Sequence, residues 1–253
     1  MSNRFKSRYD DDINLFEGRW HLAQYAILMA LLMAAPWILG SYYLGELTAV
    51  LVWSLAGLGL MLISGHTGQV SLGHAAFMAI GAFTNLALML RGWHFIPALL
   101  ASAVTSGVIG AIISRPILRM SGIYLAIATL ALSIIIEDVA IIAEPITGGV
   151  AGVFAPPIAM FGMEIDRYAT PEAFYYLCLA VLVLVTLGYL NLLRSASGRS
   201  FLAVRDSEVS ARALGVNVAR AKTLSFSLSC AITGLAGALY AHLAQAVNYE
   251  SFL

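Results

Sequence analysis

A chain of 253 residues in which 60% are hydrophobic and only 11% charged is not composed like a water-soluble domain. Its formal net charge of zero says little by itself, because in a membrane the placement of Lys and Arg matters more than their sum, and no nucleic-acid partner is expected. The composition is that of an all-α bundle crossing a lipid bilayer several times.

The first 20 residues carry both signs, with Arg4, Lys6, Arg8 and Arg19 set against Asp10, Asp11 and Asp12, and read as a cytoplasmic N-terminal arm. The apolar run that follows is long for a signal-peptide core and lacks a small-residue cleavage site, so it is expected to be retained as the first helix. About 20 apolar residues are needed to cross ~30 Å of hydrocarbon. Runs near 21–40, 43–63, 70–90, 94–114, 122–142, 173–193 and 224–246 meet or approach that length, which predicts seven spans in a domain over 21–253. Trp20, Trp37 and Trp93 fall near run ends, as interfacial rings do, whereas Trp53 lies mid-run and is expected to pack between helices.

The link between the second and third runs holds Ser64 to Phe77, rich in Gly, hydroxyl, amide and imidazole groups but without a formal charge. Uncharged irregular backbone next to lipid must be buried in protein or line a wet cavity. The stretch therefore reads either as the lining of a translocation path, with Thr67, Gln69, Ser71 and His74 as its side chains, or as a short loop capping two helices.

The fourth run places Ser102, Ser106, Gly110 and Ser114 on one stripe, and the seventh carries Gly234, Gly237, Ala238 and Ala241. Small residues at this spacing let helix backbones approach, so both faces are expected to pack on neighbours. Glu137 and Asp138 lie toward the far end of the fifth run, where snorkelling to the interface and an ion-coupling role are the two readings. Residues 143–172, with Pro145, Pro156, Pro157 and Thr147-Gly148-Gly149, form a long external connection that reads as an irregular cap.

Residues 194–222 make a basic cytoplasmic segment. Asp206 or Ser207 can cap a short helix whose first turn holds Glu208 and which Gly215 terminates. Val209 and Ala213 share one face, flanked by Ala211 and Leu214 and rimmed by Arg205 and Arg212. So short a helix is marginal alone, which leaves partner docking and adsorption to anionic headgroups as alternatives. Twelve of the 14 Lys and Arg residues fall on the side of this segment and the arm, against Arg91 and Arg167 opposite; the positive-inside bias makes that side cytoplasmic.

The chemical inventory excludes an internal energy source. Lys6 and Lys222 are the only lysines, and no glycine-rich loop precedes Lys222, so there is no P-loop. The five histidines form neither His-Glu-x-x-His nor a Cys/His cluster, so neither metal nor cofactor is expected. Gln69-Val70-Ser71-Leu72-Gly73 lacks the first glycine of a nucleophile elbow, and no acid follows to orient His74, which argues against a membrane hydrolase. Cys178 and Cys230 sit in apolar runs and predict no disulfide.

Ser64–Phe77, Gly122–Ala131, Thr147-Gly148-Gly149, Gly198-Arg199, Ala203–Asp206, Ala211–Gly215 and Gly234–Ala241 occur in an order that resembles the membrane permease subunits of branched-chain amino-acid ABC importers, relatives of urea and sugar importer permeases. The resemblance implies an inner-membrane permease, itself no enzyme. Its partners would be cytoplasmic ABC ATPase subunits, a second homologous permease and a periplasmic or extracellular substrate-binding protein. It places Thr147 and Gly148 beside the polar stretch as path candidates. It also makes Arg205, Asp206, Glu208, Ala211, Arg212, Leu214 and Gly215 the ATPase-coupling element, of whose usual motif Ala211 and Gly215 match. Ile134 stands where similar permeases carry an acid, and those permeases continue with further C-terminal helices that this chain is expected to lack. An ion-coupled secondary transporter using Glu137 or Asp138 is the alternative reading.

Overall fold

A computed structural model describes residues 19–117, 120, 122–160 and 163–252. The basic residues Arg4, Lys6, Arg8 and Arg119, and most of the arm, lie outside them. Every predicted apolar run contains a helix, although residues 70–73 of the third run are not helical: α1 (Arg19–Ile38), α2 (Ser41–Thr67), α3 (His74–Leu90), α4 (Phe95–Ile117), α5 (Ile123–Ile142), then α6 (Glu144–Thr147), α7 (Pro171–Arg194), α8 (Ala196–Asp206), α9 (Glu208–Ala213) and α10 (Val218–Ala244). Five helices among the described residues, α2, α4, α5, α7 and α10, are long and apolar enough to cross a membrane; α3 and the apolar part of α1 are shorter.

The bundle is built around α10, against which α2, α3 and α4 pack. Here the small residues do what their spacing predicts. Ser102, Ser106 and Ser114 are fully buried, Gly110 faces Cys230, and Gly234 leaves room for the Ser106 side chain. A Cβ on Gly81 would stand 2.1 Å from the Gly234 carbonyl oxygen, so α3 and α10 meet backbone to backbone. Trp53 departs from expectation: it is 54% exposed, with one edge on Tyr240, because the contact face of α2 is occupied by Leu51, Val52, Leu55 and Gly59.

Pro36 interrupts α1 and has no N–H to offer the Leu32 carbonyl. Tyr175 of α7 supplies the missing donor, its hydroxyl 2.7 Å from Leu32 O, and the Tyr176 hydroxyl donates to Met33 O at 2.9 Å. Tyr175→Phe should therefore lower stability in detergent by about 1 kcal/mol, the usual scale of an interhelical hydrogen bond in a membrane protein. A thermal unfolding midpoint checks this, with no shift expected for Gly188→Ala, whose added methyl group meets nothing within 4 Å.

The fold is all-α, but the long connection is not wholly irregular, since two short β-ribbons involve it. Strand β1 (Val153–Phe154) pairs antiparallel with β4 (Ala246–Val247), and β2 (Ile158–Met160) pairs with β3 (Met163–Ile165). Ribbons this short carry no periodic signal, and β1 finds its partner across nearly a hundred residues. Two side chains fasten this cap to the end of α10. Arg167 Nη1 donates to Leu243 O at 2.7 Å, meeting a carbonyl in the last helical turn, and Gln245 Nε2 donates to Asp166 Oδ1 at 2.5 Å.

At the other end α8 and α9 form a short helical pair. Residues 194–222 are more structured than a basic connector, because Phe201, Val204 and Ala211 form a core with Leu62, Tyr189, Val218 and Ala221. Ser207 caps α9, its side chain accepting from Ser210 N, and Gly215 follows in the left-handed region with φ 83°, as the sequence predicts. Of the predicted apolar patch, Val209, Ala213 and Leu214 face outward and only Ala211 departs. Ala211 points inward while Val209 and Leu214 are 81% and 82% exposed. The predicted start of the last run also moves, from 224 to Val218, since Ala221 and Lys222 are buried along with the apolar residues.

Candidate functional site

Helix α2 stops where Gly68 turns left-handed at φ 69°, returning its N–H to Ile63 O, with Gln69 N donating to the same carbonyl at 3.1 Å. The chain then runs through six residues to α3. Gln69 is 4% exposed and Ser71 7%, while Val70 and Leu72 point outward, so the polar members of the link are the ones buried. Gly73 is forced by packing, since a Cβ there would lie 2.2 Å from the Thr129 carbonyl oxygen of α5. The adjacent Leu72 N–H donates to Thr129 Oγ1 at 3.0 Å.

The buried groups form a directed chain of hydrogen bonds. Ser229 Oγ lies 2.5 Å from Gly59 O, and only the serine can donate there. Having spent its hydrogen, Ser229 Oγ accepts from His74 Nε2 at 2.6 Å. His74 is then the neutral tautomer protonated on Nε2, and its Nδ1 accepts from the Ser71 hydroxyl at 2.8 Å. One imidazole thus joins the polar link to α3, α10 and α2. Gln69 is held in parallel: its Nε2 donates to Ser225 Oγ at 3.4 Å, and Ser225 donates to Lys222 O at 3.0 Å. Gln69 Oε1 is buried with no hydrogen-bond partner. A buried acceptor without a donor costs about 1–3 kcal/mol, and among the described residues none donates to this oxygen.

The structure brings together Gln69, Ser71 and His74 and leaves the other path candidates apart. The Thr67 hydroxyl donates within its own helix, to Leu62 O at 3.2 Å. Thr147 lies beyond the opposite end of α5, donating to Ala140 O and Ala143 O and accepting from Gly149 N. It fixes the turn at Gly148. Sequence reasoning missed Ser225 and Ser229, although with Thr233 they form a polar stripe at four-residue spacing inside an apolar run, and that stripe was the available signal. Glu137 and Asp138 are also separated: Asp138 is exposed, and half-buried Glu137 lines a cleft between α3 and α5.

Two of the residues that the resemblance assigns to coupling, Arg205 and Glu208, adjoin this site. Arg205 Nη1 donates to Gly65 O at 3.0 Å and its stem lies against Gly68, while the guanidinium also meets Asp206 at 3.2 Å. Glu208 of α9 pairs with buried Lys222 at 2.6 Å, two residues after Arg220 and one turn before Ser225. Lys222 in turn presents its carbonyl to Ser225. Among the described residues no group of three or more His, Cys, Asp or Glu side chains is placed to hold a metal ion.

Residues 42–253 match the family model described as the branched-chain amino acid transport system permease component. The high-affinity branched-chain amino acid transport system permease protein LivM of Salmonella typhimurium is 33% identical over 255 residues, covering 90% of this chain and 60% of that protein. LivM of Escherichia coli K12 is 32% identical over 247 residues, 89% of this chain and 58% of its own length. The autoinducer 2 import system permease protein LsrC of Escherichia coli O9:H4 is 24% identical over 224 residues, 85% and 62% respectively. The chain thus spans less than two thirds of the length of these relatives, and no solved structure is significantly similar. It belongs to the family of permease components of branched-chain amino acid ABC transport systems.

Proposed function

We propose that this chain is the permease subunit of an ATP-driven importer, passing a small polar solute, a branched-chain amino acid by analogy with LivM, into the cytoplasm. A separate ATPase supplies the energy, a second permease completes the path, and a substrate-binding protein delivers the solute at the cap end. Seven crossings with a cytoplasmic N-terminus are the topology this reading requires. It is supported by Arg194, Arg199, Arg205, Arg212, Arg220 and Lys222 gathered at the α8–α9 end.

One observation carries the reading: the buried polar link between α2 and α3, with its unpartnered Gln69 carbonyl, begins at Gly68 against the stem of Arg205, which also donates to Gly65 O in the last turn of α2 and belongs to the helical pair beside which Val209 and Leu214 are exposed. A gate needs buried polar groups, and an energy input needs a handle outside the membrane. Arg205 touches both. The outward Val209 and Leu214, with Arg212 beside them, form the surface that an ATPase would cover.

Val209→Glu combined with Leu214→Glu should reduce co-purification of the ATPase at least about tenfold, the loss expected when two apolar anchors of an interface become charged. Membrane insertion should be unchanged, because neither side chain packs within the chain. Undiminished co-purification would refute docking at α9. Arg205→Glu is a poorer test, since it also strips the Gly65 carbonyl of its donor.

A further inference from the structure

We infer that Lys222 is a positioning residue of the transport cycle: its ion pair with Glu208 is the strut by which a displacement of α9 reaches the polar link between α2 and α3. The inference rests on the import reading above and names the residue through which the energy input acts.

Lys222 is set in the second turn of α10, with its side chain 10% exposed. Its ammonium meets Glu208 Oε1 at 2.6 Å, and Glu208, the first residue of α9, is 45% exposed. Asp206, two residues earlier, is engaged by Arg205. A cation as buried as Lys222 is tolerated only while it is paired.

The rest of the hold of α9 on α10 is slight. Ala211 packs with Val218 and Ala221, and among the described residues no other side-chain polar contact joins the two helices. A methyl contact is non-directional and can slide, whereas a charge-assisted contact fixes a distance and a direction. When a partner covers Val209 and Leu214 and shifts α9, Lys222 has two courses. It can stay behind, a buried charge without its carboxylate, or it can follow and carry its turn of α10 with it. The penalty on an unpaired buried charge selects the second course.

That turn is joined to the link. Lys222 O accepts from Ser225 Oγ at 3.0 Å, and Ser225 Oγ accepts from Gln69 Nε2 at 3.4 Å. Three contacts thus run in series from α9 to Gln69. Arg205 of α8 acts separately, on Gly65 O and against Gly68. The helical pair therefore holds the stretch at two points, and Lys222 supplies the one that reaches Gln69.

The test uses the full transporter in proteoliposomes, with its ATPase, second permease and binding protein, and measures L-leucine taken up per ATP hydrolysed. Lys222→Met keeps an unbranched side chain of similar length, and Glu208, already half exposed, can turn to water, so no charge is left buried. Apolar replacement of a buried charge on these terms is often neutral for stability, so the unfolding midpoint and the co-purified subunits should match wild type. Leucine taken up per ATP should nevertheless fall at least about tenfold, since misplacing a positioned group by about 1 Å can cost up to about a hundredfold. Glu208→Lys combined with Lys222→Glu exchanges the charges at the same combined reach and should recover most of the ratio. Arg220→Gln, which removes an exposed charge two residues away, should leave the ratio at its wild-type value. A wild-type ratio in Lys222→Met, a fall that Arg220→Gln reproduces, or a charge exchange that recovers nothing would overturn the strut. So would a Lys222→Met protein with a lowered midpoint or missing partners, because the pair would then serve the fold alone. Absence of leucine uptake by the wild-type assembly would overturn the import reading instead.

Discussion

Gly237→Val should leave essentially no folded permease, the largest effect expected of any single substitution in the bundle. A Cβ at 237 would stand 1.9 Å from the Met78 carbonyl oxygen and 2.7 Å from its carbon, and these are backbone atoms of α3 that cannot swing aside. Nor can α3 retreat as a body. One turn away, Gly81 holds it against Gly234, and Gly234 is itself wedged against Ser106 of α4. Overpacking that side chains can absorb costs about 1–3 kcal/mol. Here three backbones would have to part, so the cost should exceed the roughly 4–5 kcal/mol that marks exceptional mutants. Size-exclusion profiles of detergent-solubilised protein provide the measurement: Gly237→Val should be aggregated or absent, and Gly188→Val, on an open surface of α7, should remain monodisperse. A monodisperse Gly237→Val would show that α3 and α10 do not meet where the structure has them.

The second large effect is on transport. Phenylalanine at position 74 keeps a ring of similar shape against Phe77 and Phe226, with which the imidazole makes edge contacts at 6.3 Å, but removes both nitrogens. Ser71 loses its acceptor and Ser229 its donor, although Ser229 can still donate to Gly59 O. The stability cost should be about 1–3 kcal/mol, small enough for the assembly to survive. Uptake should fall at least about tenfold, because the link carrying Gln69 and Ser71 is no longer positioned, and ~1.4 kcal/mol of misplacement already amounts to that factor. Adding Ser229→Ala should change little further, since both substitutions break one network. Uptake at the wild-type rate by His74→Phe would reduce the stretch to a helix connector.

What could be read from the chain depended on whether a residue's partner lay within its own helix. The apolar runs, the Ser102–Ser114 stripe and the Ser207-to-Gly215 helix are local patterns, and each appears as a helix or a helix face, although the third run begins four residues later and the last six residues earlier than the spacing put them. The amphipathic α8 was hidden inside a basic segment, because Phe201 and Val204 are the only bulky apolar residues of its buried face. The inward turn of Ala211 reflects the pocket left by Val218 and Ala221, which no local pattern encodes. For the site, the uncharged link was conspicuous, but its partners Ser225 and Ser229 lie more than 150 residues along the chain. Thr147 was grouped with that link on family resemblance, and its hydroxyl is instead consumed by the turn it stabilises.

The position of α10 at the centre also sets a timetable for biogenesis. Helices α2, α3 and α4 are complete by residue 117, yet the surface they close upon begins at Val218. At about 5–20 residues per second, a ribosome needs some ~5–20 s to supply it. Through that interval the Gly81 and Ser106 grooves face lipid or another protein, with no helix to fill them. The early spans are then a waiting half-shell, and anything that delays the later ones exposes that shell to membrane quality control.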